Sequence, residues 1–313
     1  MSATGKRSSS NPIAAELKRL LKRIRKLYRR IRQLKTRLNA LAPINRLPPE
    51  LLIHIFLSLQ SNFHEEYAVD YYKWTVITQV SRSWRNLASE AKQLWTVISH
   101  DTQVIESPWI AVFLDRSQPV HLDVVVNFDL YSEKLGLLER VAEEKHRIRT
   151  LYVNVVGVTD EMREEFRALV HWLVTEMPVL EEFELKGVDE YNTERSPFDL
   201  PPTTFFNSLA PRLRSFQVVD INLGLRSLPF NGITTLKLWY GEDHRGELSL
   251  RALFAFLCVT HLHVLELQHA LFEEDNTEEV DNLMPISLSS LSSLFINSTT
   301  HLCTKFLSAY PPI

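Results

Sequence analysis

Residues 180–185 read LEEFEL, with Leu180, Phe183 and Leu185 apolar and acids between them. The same L-x-x-L-x-L spacing recurs as Ile148-Leu151-Val153, Leu213-Phe216-Val218, Ile233-Leu236-Leu238, Leu262-Leu265-Leu267 and Leu291-Leu294-Ile296. Alternation at the end of each triplet is the pattern of a strand with one face in a core. The central positions step by 32, 33, 20, 29 and 29 residues, and Leu122-Val124, with Val126, makes a degenerate copy 29 residues before Leu151. Helical patterns fall between the triplets, at 133–145, 161–177, 248–260 and 301–310. A strand and a helix every 20–30 residues predicts either a doubly wound α/β sheet or a stack of repeats. Doubly wound strands read as near-continuous apolar runs. These strands alternate, which favours the stack.

The region resembles leucine-rich repeats, in an irregular form. Five residues beyond each central position stand Val156, Val188, Ile221, Gly241, Ala270 and Thr299, never the Asn or Cys of regular repeats, so irregular turns are expected. The resemblance implies an α/β solenoid over residues 99–313 whose outward strand positions meet a protein target. Tyr152, Glu184, Lys237, Trp239 and Phe295 are the candidate contacts. The sequence stops at SAYPPI, where another strand would begin, so either it is truncated or Leu294 lies on an exposed edge.

Upstream, INRLPPELLIHIFLSL (44–59) opens on two prolines at a helix start, with Glu50 in the first turn. Leu51, Leu52, Ile55, Phe56 and Leu59 form one apolar face. Beyond a polar stretch, Val76, Val80, Trp84, Leu87 and Ala91 follow at spacings of three and four, predicting a second amphipathic helix that ends near Leu94 and Trp95. Taken alone, these residues also fit a helical hairpin with Trp84 and Trp95 as core aromatics. The order L-P-x-E-L-L-x-x-I-F-x-x-L, V-S-x-x-W-x-x-L, L-W resembles the F-box, here over 44–98. Two departures are a long link between the halves and Gln79, where an apolar residue is usual. The resemblance implies a helical module docking on a Skp-type adaptor of a cullin–RING ubiquitin ligase. Leu47, Pro48, Glu50, Leu51, Leu52, Ile55, Phe56, Val80, Trp84 and Trp95 would supply its core and adaptor interface. The layout is similar to that of basidiomycete fungal F-box proteins.

Residues 1–12 are polar and expected to be disordered. Over 13–43, Leu17, Leu20, Ile24, Leu27, Ile31, Leu34, Leu38 and Leu41 keep a strict heptad spacing, and Pro43 ends the run. Residues 1–43 hold 13 Lys/Arg and one acid, whereas the remaining 270 hold 22 Lys/Arg and 37 Asp/Glu. A parallel homodimer would oppose Arg30 to Lys35, so an acidic partner helix, or the negative body of the same chain, answers this segment better. Rival readings are a nuclear-import or nucleic-acid patch and a mitochondrial presequence. A basic-zipper DNA reader fits poorly, because the basic residues interleave the whole zipper.

Eight glycines in 313 residues form no phosphate-binding loop, and two cysteines make no disulfide framework. The compartment expected is cytoplasm or nucleus. No apolar run reaches membrane-span length. His261-x-His263 lacks a third ligand, residues 64–68 lack the second His of a zincin motif, and Cys258 and Cys303 sit on apolar helix patterns where cysteine is inert core. The acidic run 273–281 reads as a solvated loop. No cofactor, metal or catalytic residue is expected. With the resemblances, the sequence implies a fold of mixed α+β and α/β class (basic helix, helical F-box, repeat region) and a non-enzymatic substrate-recognition subunit. The alternatives are a coiled-coil or nucleic-acid-associated scaffold and an α/β enzyme.

Overall fold

The computed structural model describes residues 12–66, 68–100, 109–129, 136–156, 173, 175–188, 210–221, 232–241, 248–272 and 289–308. The chain divides into two compact units, Met1–Glu65 with Tyr72–Ala91, and Glu66–Tyr71 with Lys92–Ile313.

The first unit begins with α1 (Pro12–Leu41), built from strong helix formers with Pro12 in its first turn. Its 30 residues span about 45 Å, and none is buried. Pro43 ends it, and a 3₁₀ turn (Pro43–Arg46) leads to α2 (Pro49–Glu66). The Asn45 side chain fixes this corner: Nδ2 donates to the Asn39 carbonyl at 2.6 Å, and Oδ1 accepts from Trp84 Nε1 at 2.6 Å. The long link is itself helical, since α2 runs to Glu66 and a 3₁₀ segment covers Ala68–Val76.

The single helix predicted over residues 76–94 is broken. In its place come α3 (Ile77–Val80), α4 (Arg82–Glu90) and a 3₁₀ turn at Lys92–Trp95. Ser81 is the break. It is extended, at φ −151° and ψ 165°, and its hydroxyl accepts the Trp84 N–H at 3.1 Å. A serine that satisfies an orphan donor this way starts a new helix. Leu52, Phe56, Trp74, Ile77, Ala88 and Ala91 are buried, and the Phe56 and Trp84 rings meet at 5.0 Å.

The second unit carries β1 (Val97–His100), α5 (Trp109–Arg116), β2 (Leu122–Asp129), α6 (Gly136–Glu143), β3 (Ile148–Val156), β4 (Glu182–Val188), β5 (Ser215–Val219) and β6 (Thr235–Trp239). It continues with β7 (Leu248–Ser249), α7 (Leu250–Leu257), β8 (Val264–Gln268), β9 (Leu271–Phe272), β10 (Ser293–Asn297) and α8 (Thr300–Ser308). The last two residues of every triplet lie in a strand. β1, β2, β3, β4, β5, β6, β8 and β10 pair in that order, all parallel, while β7 and β9 form a separate pair. The order never reverses, whereas a doubly wound sheet reverses at its switch point.

One face of this sheet is core. From Val124 and Val126 on β2 to Leu265 and Leu267 on β8, the inward residues are no more than 1% exposed. A one-residue slip would turn all of them outward, so burial fixes the register. α7 buries Leu253 and Phe254, α8 buries Leu302 and Phe306, and the Phe254 and Phe306 rings lie 5.7 Å apart. Leu294 on edge strand β10 is 44% exposed.

The turns are irregular, with local solutions. Asp220 adopts φ 52° just beyond β5, and its Oδ1 accepts the Gly241 N–H at 2.7 Å. A Cβ on Gly187 would come within 2.8 Å of the Asp220 carbonyl oxygen, so glycine is required there. Five residues beyond their triplet centres, Ile221 and Ala270 are buried apolar residues. Arg147, unforeseen from sequence, is buried and braces the segment before β2. It binds Glu144 at 2.7 Å, the Val120 carbonyl at 2.8 Å and the Leu114 carbonyl at 3.2 Å.

Cys258 is exposed and Cys303 half-buried, so Cys258 is not core as expected; α7 stops at Leu257 and leaves it at the turn. His261 and His263 are exposed and precede β8. Residues 273–281 and most of 161–177 lie outside the described residues.

Candidate functional site

α2 presents two apolar pairs at i, i+4. Leu52 and Phe56 point inward, at 6% and 1% exposure, whereas Leu51 and Ile55 are 49% and 43% exposed. Successive helix residues stand about 100° apart, so adjacent pairs serve different faces. Val76 and Val80 repeat the exposed spacing at 52% and 54%. Pro48 and Glu50 are exposed, while Leu47 and Trp84 are intermediate. Trp84 is held by the Asn45 hydrogen bond and the Phe56 ring. These contacts make it a positioning residue of the module. Trp95 belongs to the second unit and has no exposed surface. Its ring packs edge-on to Phe113 at 4.9 Å, with the Arg116 guanidinium 4.3 Å from its centroid. A side chain so enclosed anchors its own unit and offers nothing to a partner.

Four of the five target-contact candidates occupy one row of the sheet. Strand pairing aligns Tyr152, Glu184, Gln217, Lys237, Glu266 and Phe295, and Trp239 lies in the next row. At about 4.8 Å per strand the row spans roughly 24 Å. The Tyr152 hydroxyl donates to Glu182 at 3.0 Å, and burial followed by that carboxylate raises its pKa. Burial also raises the Glu184 pKa, with Lys186 and Lys237 acting against it. Lys237 pairs with Glu266 at 3.2 Å and lies 5.9 Å from the Trp239 ring centroid. The buried Trp239 indole N–H has no acceptor among the described residues. Phe295, on the edge strand, is 46% exposed.

Residues 44–101 match the F-box-like family. Among curated proteins and solved structures, none matches the chain. F-box domains bind Skp-type adaptors within SCF ubiquitin ligases, and the F-box-like domain points this chain to adaptor docking. Within the domain, Leu52 and Phe56 are core, whereas Leu51, Ile55 and Val80 keep apolar surface accessible. Two departures from the pattern have a structural account. The link is helical, and Gln79 is exposed, where a polar side chain costs nothing. Val76 was missed as an accessible residue, because its helical spacing placed it on the predicted buried face. Among the described residues no group of His, Cys, Asp and Glu could hold a metal ion, and no helix is long and apolar enough to cross a membrane.

Proposed function

We propose that the chain is a substrate-recognition subunit of an SCF-type ligase, joining Skp-type adaptor and cullin through the F-box-like domain and holding a target protein on the second unit. The observation that carries this reading is the F-box-like match over a module that keeps Leu51, Ile55 and Val80 exposed around a closed core. Apolar anchors of this kind dominate association energy when they fill a partner's pockets. The second unit is read as a leucine-rich-repeat-like solenoid. Parallel strands in chain order, each alternating core-facing and outward residues, support that reading. Its target face is the row from Tyr152 through Glu184 and Lys237 to Phe295, with Trp239 in the row beside it. No chemistry is performed on this chain: holding a target lysine beside the charged conjugating enzyme raises its effective concentration. The same reading puts it in the cytoplasm or nucleus.

The test is co-purification of the full chain with adaptor and cullin from cells expressing all three. Wild type should capture both, and a folded Leu51→Asp, Ile55→Asp chain neither. Wild type that captures the adaptor without cullin would contradict ligase assembly.

A further inference from the structure

From the surface of α1 we infer that it is one strand of a parallel, heterotypic coiled coil whose partner is an acidic heptad helix. The inference does not rest on the ligase reading. All eight heptad residues from Leu17 to Leu41 are between 46% and 68% exposed, a continuous apolar seam that no described residue of the first unit covers. Of the a positions, the two central ones are Ile24 and Ile31 and the outer two Leu17 and Leu38, while Leu20, Leu27, Leu34 and Leu41 occupy d; isoleucine at a with leucine at d favours two parallel strands.

The spacing argues against a flat partner. A straight helix drifts about 20° per heptad from a 3.5-residue repeat, or roughly 70° between Leu17 and Leu41. A bilayer surface would meet one end of that seam and lose the other, whereas a second helix removes the drift by supercoiling. The charges then select the partner. Arg23, Arg30 and Arg37 stand at g along one edge, and Leu21, Tyr28 and Lys35 at e along the other. Self-pairing would set each Arg30 against a Lys35, twice by symmetry. A partner with Asp or Glu at e would face all three arginines.

Calorimetric titration of the full chain with two synthetic four-heptad peptides tests this. Both carry Ile at a and Leu at d, one with Glu at e and the other with Lys. The Glu peptide should bind one to one and the Lys peptide far more weakly. Arg23→Glu, Arg30→Glu, Arg37→Glu should weaken the Glu peptide roughly thirtyfold and reverse the preference. Arg25→Glu, Arg29→Glu, Arg32→Glu changes the net charge equally on the back of the helix and should alter binding less than about threefold. Circular dichroism checks that both variants remain helical. Equal weakening by the two triple variants would reduce the effect to bulk charge and overturn the inference. So would self-association abolished by Ile24→Lys, Ile31→Lys. Tighter binding to phosphatidylserine vesicles or duplex RNA than to the Glu peptide would overturn it in favour of a membrane or a nucleic acid.

Discussion

At the scale of single residues, α2 separates a buried from an accessible apolar side chain by one position. Phe56 is enclosed and packed at a tilt against Trp84, and its neighbour Ile55 is accessible. Phe56→Ala should destabilise the module by about 3–5 kcal/mol in urea denaturation, leaving a cavity beside Trp84. Ile55→Ala should cost under about 1 kcal/mol. The sequence put Leu51, Leu52, Ile55 and Phe56 on one broad face, because hydropathy records which residues avoid water and not what covers them. Trp95 shows the same limit: its motif suggested a partner, and its surroundings are Phe113 and Arg116. Glu184 gives a pH test. Its folded pKa is raised, so folding favours its protonated form. It contributes nothing unfavourable below the ordinary glutamate pKa and loses stability as pH rises through the folded value. Glu184→Gln should therefore raise Tm near neutral pH, with the difference vanishing in acid. A difference that persists in acid would assign the effect to packing.

Among elements, period-2 alternation made all six triplets legible as strands, because one-sided burial forces alternate residues inward. β1 and α5 were not foreseen: four residues, VISH, and eight, WIAVFLDR, are too short for periodicity to declare. The broken helix has another cause. Val80 and Trp84 keep a spacing of four across the break, so hydropathy reads straight through it, whereas the hydroxyl of Ser81 decides. Ser81→Ala should cost about 1 kcal/mol by removing that cap, and Ser81→Asp should restore most of it. Thermal denaturation of both variants measures the difference.

Across the whole molecule, two kinds of information are joined in one chain. The F-box-like domain was readable because three short motifs fell in order at helical spacing. The second unit was readable as strands and helices, and its strand order follows from one pattern repeated without reversal. The row of Tyr152, Glu184, Lys237 and Phe295 was legible, since each follows a triplet centre, but side-chain company such as the Arg147 brace and the Asp220 turn carried no signal. Both of these depend on residues about 20 or more apart in sequence. The central claim is that α2 presents a docking face for a Skp-type adaptor. Calorimetric titration of the purified full chain with that adaptor tests it most directly, comparing wild type with Leu51→Asp, Ile55→Asp and with the sheet variant Lys237→Glu. Saturable one-to-one binding is expected, unchanged in Lys237→Glu and weakened at least about a hundredfold in the double variant, which stays folded. Folded wild type that fails to bind, or a double variant that binds as tightly, would contradict it.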